Sequence, residues 1–165
     1  MNPFSWSFRT QFFAGVLVCA GLLAYALYAQ YKLFMDPCPL CIFQRVVFIV
    51  AGLVFLIGAL HGPKGWGRKL YGALVFFVAM VGVGIAGRHV WLQNLPADQV
   101  PACGPGLDYM LEAFPLGKTL SMVFTGSGEC ANIDWHFLGL SMPTWTLVCY
   151  LLLGLGALWA GFRRR

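Results

Sequence analysis

Four apolar stretches, each about as long as a bilayer's hydrocarbon layer is thick, constrain this chain more than any other feature. They fall at about 11–30, 41–60, 70–88 and 142–162, and Arg45 and Arg88 are their only charged residues. A helix rises 1.5 Å per residue, so roughly 20 residues cross ~30 Å of hydrocarbon. Lipid offers backbone groups no hydrogen-bond partners, so runs of this kind must close their own hydrogen bonds as helices. Composition excludes a water-soluble fold: charged residues are 10% and hydrophobic ones 59% of 165, against about 25% charged in soluble domains. The expected fold is an all-α membrane protein, a single four-transmembrane-helix bundle over residues 1–165. A long outer loop carrying a short amphipathic helix completes it.

The net charge of +5 does not mark a nucleic-acid binder. Its only basic run, Arg163, Arg164 and Arg165, flanks the last span, as membrane proteins commonly arrange. Four spans put both termini on one side, together with Arg9, Lys64, Arg68 and Lys69. All six acids (Asp36, Asp98, Asp108, Glu112, Glu129, Asp134) fall on the other side. Basic residues stay cytoplasmic, so both termini are expected inside and the loops at about 31–40 and 89–141 outside. In a bacterium that places the loops in the periplasm, where disulfides persist. Ala24-Tyr25-Ala26 offers small residues at a possible signal-peptidase site, but the uncharged run around it is long for a signal peptide. The first span is therefore expected to be retained.

The outer loop at 89–141 is long enough to carry function. Leu107, Met110, Leu111 and Phe114 recur at helical spacing, the stripe of an amphipathic helix. Leu116, Leu120, Val123 and Phe124 extend it beyond Pro115. Such a helix either lies on the membrane surface or caps the top of the bundle.

Of six cysteines, Cys19 and Cys149 fall inside spans, where a thiol packs as a small apolar side chain. Cys38, Cys41, Cys103 and Cys130 all face out. Cys38-Pro39-Leu40-Cys41 opens the second helix, with Asp36 as the expected cap and Pro37 and Pro39 in the first turn. A helix N-terminus carries partial positive charge, which favours a nucleophilic thiolate. Cys38 is expected to be the more water-accessible of the two. Arg45 sits one turn deeper on the same face as Cys41. An arginine at the hydrocarbon edge needs a partner, and a thiolate or an electron-rich cofactor oxygen would supply one. Zinc would want two closely spaced cysteine pairs; Cys103 and Cys130 are far apart in the chain, and no metal is expected. Proline and glycine surround these two (Pro101, Gly104, Pro105, Gly106, Gly128), so a bond there would be exposed and open to attack by another protein's thiolate. The reading is thiol–disulfide exchange.

These features together resemble the DsbB family of bacterial inner-membrane disulfide-forming proteins. The resemblance covers nearly the whole chain. It includes Cys38-Pro39-Leu40-Cys41 followed by Gln44-Arg45, the loop cysteines Cys103 and Cys130, Gly128-Glu129-Cys130, and Phe137-Leu138-Gly139-Leu140 leading through Met142-Pro143 and Trp145 into the last helix. It implies an enzyme that reoxidises a periplasmic DsbA-like dithiol oxidase and passes electrons to the membrane quinone pool, ubiquinone or menaquinone. Cys103 would then take the mixed disulfide and Cys130 would relay to Cys38 and Cys41. Cys41 would face the quinone, with Arg45, His89 and Gln93 beside it. Gln44 stands where some relatives carry an acid. Two rivals remain at this stage. One is a quinone-coupled enzyme of the vitamin K epoxide reductase type, although its CxxC follows its loop cysteines in the chain. The other is a non-catalytic membrane scaffold braced by disulfides.

Overall fold

The computed structural model describes residues 6–96, 98–100, 115, 117–118, 121, 128–131 and 135–163. Cys103 and the amphipathic stripe from Leu107 to Phe114, with its extension to Phe124, lie outside the described residues apart from a few isolated positions.

Four long helices form the body: α1 Phe8–Lys32, α2 Pro39–His61, α3 Trp66–Gln93 and, after a short helix α4 at Gly128–Ala131, α5 Met142–Phe162. All four are long and apolar enough to cross a membrane. The chain is a multi-pass membrane protein of the expected all-α class. Side chains such as Leu17, Phe77 and Leu152 are more than half exposed. In water such a surface would drive association; against lipid it costs nothing.

Helix starts follow local chemistry. Ser7 caps α1, its Oγ accepting from the Thr10 amide at 3.3 Å. At α2 the expected cap is wrong. Cys38, not Asp36, occupies the N-cap in an extended conformation, and Pro39 takes the first helical position. The cause is Pro39, whose ring suits a first turn and pushes the residue before it out of the helical region. Pro37 therefore lies before the helix rather than in it. α3 runs past the expected end of its span to Gln93. The polar residues there ended the apolar run but not the helix, because His89 turns inward and is buried.

Two basic residues close the opposite helix ends. Arg9 Nε donates to the Ala59 carbonyl at 3.0 Å, and Arg68 Nη2 to that of Ala160 at 2.9 Å. Both carbonyls lie in the last turn of a helix, where acceptors lack intrahelical partners and positive charge is favoured. Just before α5, β1 His136–Phe137 and β2 Leu140–Ser141 form a minimal hairpin. Its turn places Leu138 and Gly139 at φ 52° and 78°, as a two-residue turn with two positive φ angles demands.

Among the described elements α3 packs most extensively on α5, and small residues permit it. A Cβ on Gly72 would sit 2.7 Å from the Ala157 carbonyl oxygen, and one on Gly161 2.7 Å from that of Arg68. Without a hydrophobic drive between helices in lipid, such close backbone approach supplies the association energy. Gly161→Val should therefore force the pair apart and cost about 1–3 kcal/mol. Gly156→Ala, with nothing within 4 Å of the new carbon, should change stability by less than about 0.5 kcal/mol. Thermal unfolding in detergent checks both.

Candidate functional site

The start of α2, the end of α3 and the short α4 converge on Cys38. Its Sγ lies 3.2 Å from that of Cys41, toward which it donates. Contrary to expectation Cys38 is the more buried of the pair, at 7% exposure. His89 and α4 cover it. His89 Nε2 stands 3.7 Å from Cys38 Sγ, and α4, packed on the end of α3, brings in the buried Cys130. The sulfurs of Cys38 and Cys130 and a ring nitrogen of His89 all lie within 4.8 Å of one another.

His89 is oriented from behind. Its Nδ1 pairs with the Gln44 side-chain amide at 3.2 Å, whose oxygen accepts from Thr146 Oγ1 at 2.7 Å. Thr146 also reaches the Pro143 carbonyl at 2.8 Å. The Gln44 backbone carbonyl accepts from Tyr150 Oη at 2.6 Å. The sequence marked Gln44 only as a departure from family pattern; its place as organiser was missed. A polar amide inside an apolar span was the available signal.

Arg45 finds neutral partners on α1. Nη1 donates to Gln30 Oε1 and Nη2 to the Ala26 carbonyl at 3.1 Å. Neither is the thiolate or cofactor oxygen that the sequence suggested, and neither bond neutralises its charge. Gln93 accepts from Ser141 Oγ at 2.7 Å, fastening the end of α3 to the start of α5.

Cys41, Arg45, His89 and Gln93 share the wall of one cavity of about 320 Å³. Its remaining wall is mostly apolar, from Leu22 and Ala26 of α1 to Phe48 of α2 and Cys149 of α5. Cys149 thus faces this space as well as packing; Cys19 is fully buried elsewhere in the core. Aromatic rings before and at the start of α5 line part of the wall. Trp135 stacks on Phe137 at 5.9 Å, and Trp145 Nε1 donates to the Phe137 carbonyl at 3.0 Å. Such a belt is usual where protein meets the membrane–water boundary. Chemically, the arrangement offers sulfurs close enough to exchange bonds, a histidine beside them, and a mostly apolar chamber whose wall holds one cation, Arg45, and two carboxylates, Asp36 and Glu129.

A family model described as "Disulfide bond formation protein DsbB" matches residues 8–160. Among curated proteins, the Disulfide bond formation protein B of Xanthomonas campestris is 56% identical over 166 residues, covering 100% of this chain and 96% of that protein. The protein of that name from Nitrosococcus oceani is 58% identical over 153 residues, covering 93% and 90%. That of Hahella chejuensis is 54% identical over 152 residues, covering 92% and 91%.

Gln44→Leu would leave His89 Nδ1 unpaired in a buried setting, at a cost of about 1–3 kcal/mol. Tyr150→Phe removes one hydrogen bond and should cost less, about 1 kcal/mol. Chemical denaturation of the two variants in detergent should rank them in that order.

Proposed function

The chain belongs to the DsbB family of disulfide bond formation proteins, and from that premise we propose that it reoxidises a DsbA-like periplasmic dithiol oxidase and passes the electrons to a membrane quinone. The approach of Cys130 to Cys38, from a loop segment far along the chain, carries this reading. The enzyme would sit in the bacterial inner membrane with both termini cytoplasmic, as the charge asymmetry favours.

A thiolate of the partner attacks Cys103 and displaces Cys130. Cys130 then attacks Cys38 in the Cys38–Cys41 disulfide, and Cys41 leaves as a thiolate. The second partner thiol resolves the mixed disulfide and Cys103 displaces Cys38 from Cys130; Cys38 and Cys41, now both thiols, would re-form their bond by giving two electrons and two protons to the quinone. His89 Nε2, beside Cys38, is positioned to hold the proton that travels with that sulfur.

The cavity suits a quinone: apolar walls for a flat ring, and few polar groups to meet its carbonyl oxygens. A guanidinium has five N–H donors, and the two bonds from Arg45 to α1 leave others for such an oxygen. Gln93 and His89 share that wall, as do Asp36, Gln44, Glu129 and Thr146. A bound ubiquinone or menaquinone supplies the acceptor for two electrons and two protons. Arg45 keeps a positive charge beside Cys41, where negative charge gathers when the sulfur is displaced. Such fixed charges are the usual source of rate.

Arg45→Met should lower quinone-dependent turnover by roughly 10²-fold while one round of thiol exchange with the reduced partner proceeds normally. Anaerobic mixing, with quinone absorbance and thiol labelling followed together, separates the two. Equal loss of both would reduce Arg45 to a tie between α1 and α2. In the same assay Cys103→Ser should abolish turnover of the partner yet leave Cys38 and Cys41 oxidisable by quinone. A scaffold with bracing disulfides would show no quinone dependence at all.

A further inference from the structure

We propose that the reduced protein binds one thiophilic divalent cation, of the zinc class, through Cys38, His89 and Cys130. The three side chains come from the start of α2, the outer end of α3 and from α4, and their exposures are 7%, 2% and 1%. Zinc–sulfur bonds of ~2.3 Å and zinc–nitrogen bonds of ~2.0–2.1 Å set tetrahedral edges of roughly 3.8 Å between sulfurs and 3.6 Å between sulfur and nitrogen. Cys38 Sγ and His89 Nε2 are already 3.7 Å apart. All three ligand atoms lie within 4.8 Å of one another, so small side-chain rotations close the site. Two thiolates and an imidazole match zinc or cadmium, and not magnesium or calcium, which take oxygen ligands.

The surroundings suit a ligating histidine. Metal on Nε2 requires the proton on Nδ1, and Gln44 faces Nδ1 at 3.2 Å. Turning the Gln44 amide end for end presents its oxygen to that proton. Its NH2 then donates to Thr146 Oγ1, whose own hydrogen goes to the Pro143 carbonyl. The bonds from Nδ1 through Gln44 and Thr146 to Pro143 all survive. Ligating histidines usually have such a partner on the second nitrogen, which fixes the ring.

Binding releases the thiol protons to solvent and forms two metal–sulfur bonds without changing any oxidation state. It is therefore confined to the dithiol form: a sulfur held in a disulfide is no thiolate ligand. One consequence rests on the relay reading above. The metal occupies the two sulfurs that must exchange, so it arrests turnover.

Cobalt(II) titration of the full chain in detergent, anaerobic and reduced with a phosphine, tests the site directly. One equivalent should produce thiolate-to-cobalt charge-transfer absorption and the visible bands of a tetrahedral ion, and zinc should bleach both. Cys130→Ser and His89→Ala, checked for folding by their thermal transitions, should each weaken binding at least tenfold; Cys19→Ala should bind as the parent does. The oxidised protein should bind none. Unchanged cobalt spectra in Cys130→Ser and His89→Ala, or equal binding by the oxidised form, would overturn the proposal. In the parent, zinc raises the melting temperature of the reduced form alone, a readout independent of any variant; no such rise at saturating zinc would overturn it too. Turnover that continues with the site filled would instead overturn the relay assignment of Cys38 and Cys130 and leave the metal site standing.

Discussion

Gln44 ties three spanning helices together at the level of the cysteines. From α2 its amide meets His89 on α3 and Thr146 on α5, while its backbone carbonyl takes the Tyr150 hydroxyl. In an apolar bundle each of these groups would cost free energy if left alone. Satisfied by one another, they set the relative depth of α2, α3 and α5 and hold the histidine ring against Cys38. The sulfur geometry follows from that depth, so the site inherits its position from buried polar bonding rather than from the surface loops.

Packing elsewhere is uneven, and the unevenness makes room for the chamber. Glycine and alanine bring α3 and α5 into backbone contact, whereas α1 touches α5 only lightly. Toward its N-terminal end α1 packs on α2 through aromatic rings seated over glycines, Phe55 over Gly15 and Phe12 over Gly58. Near the C-terminal end of α1 the tie between these helices becomes polar, Arg45 reaching across to Gln30 and Ala26. That bridge spans a gap instead of filling it. The cavity lies against this bridge, its far wall completed by α5 and the aromatic residues before it.

The four spans could be read from hydropathy because a bilayer imposes length and polarity at once. Cys38 and Cys41 could be read from spacing. What spacing cannot give is convergence between remote segments. Nothing local connects Cys130 to His89, and their meeting on Cys38 depends on how α4 settles on α3. Hydropathy also stopped the third span at 70–88, because it scores His89 and Gln93 as polar without seeing that they bond inward. Asp36 was favoured as a cap from residue type alone; Pro39 decided the matter through backbone sterics. The hairpin before α5 is too short for any periodic signal. The roles of Cys103 and the amphipathic segment belong to residues that the structure does not describe.

Pro39 also leaves Cys38 in an unusual position. A residue at a helix N-cap ordinarily uses its side chain to accept from the first free amides, yet here the side chain makes no capping bond, and the backbone carbonyl receives the Ile42 amide at 3.2 Å. The thiol is released from structural duty. Serine is among the residues most favoured at an N-cap, worth about 1 kcal/mol over alanine. An oxygen in place of this sulfur would therefore be drawn back toward the helix amides, strengthening the fold while turning away from its neighbours. Here the usual like-for-like replacement of a cysteine changes two things at once, and alanine is the cleaner comparison.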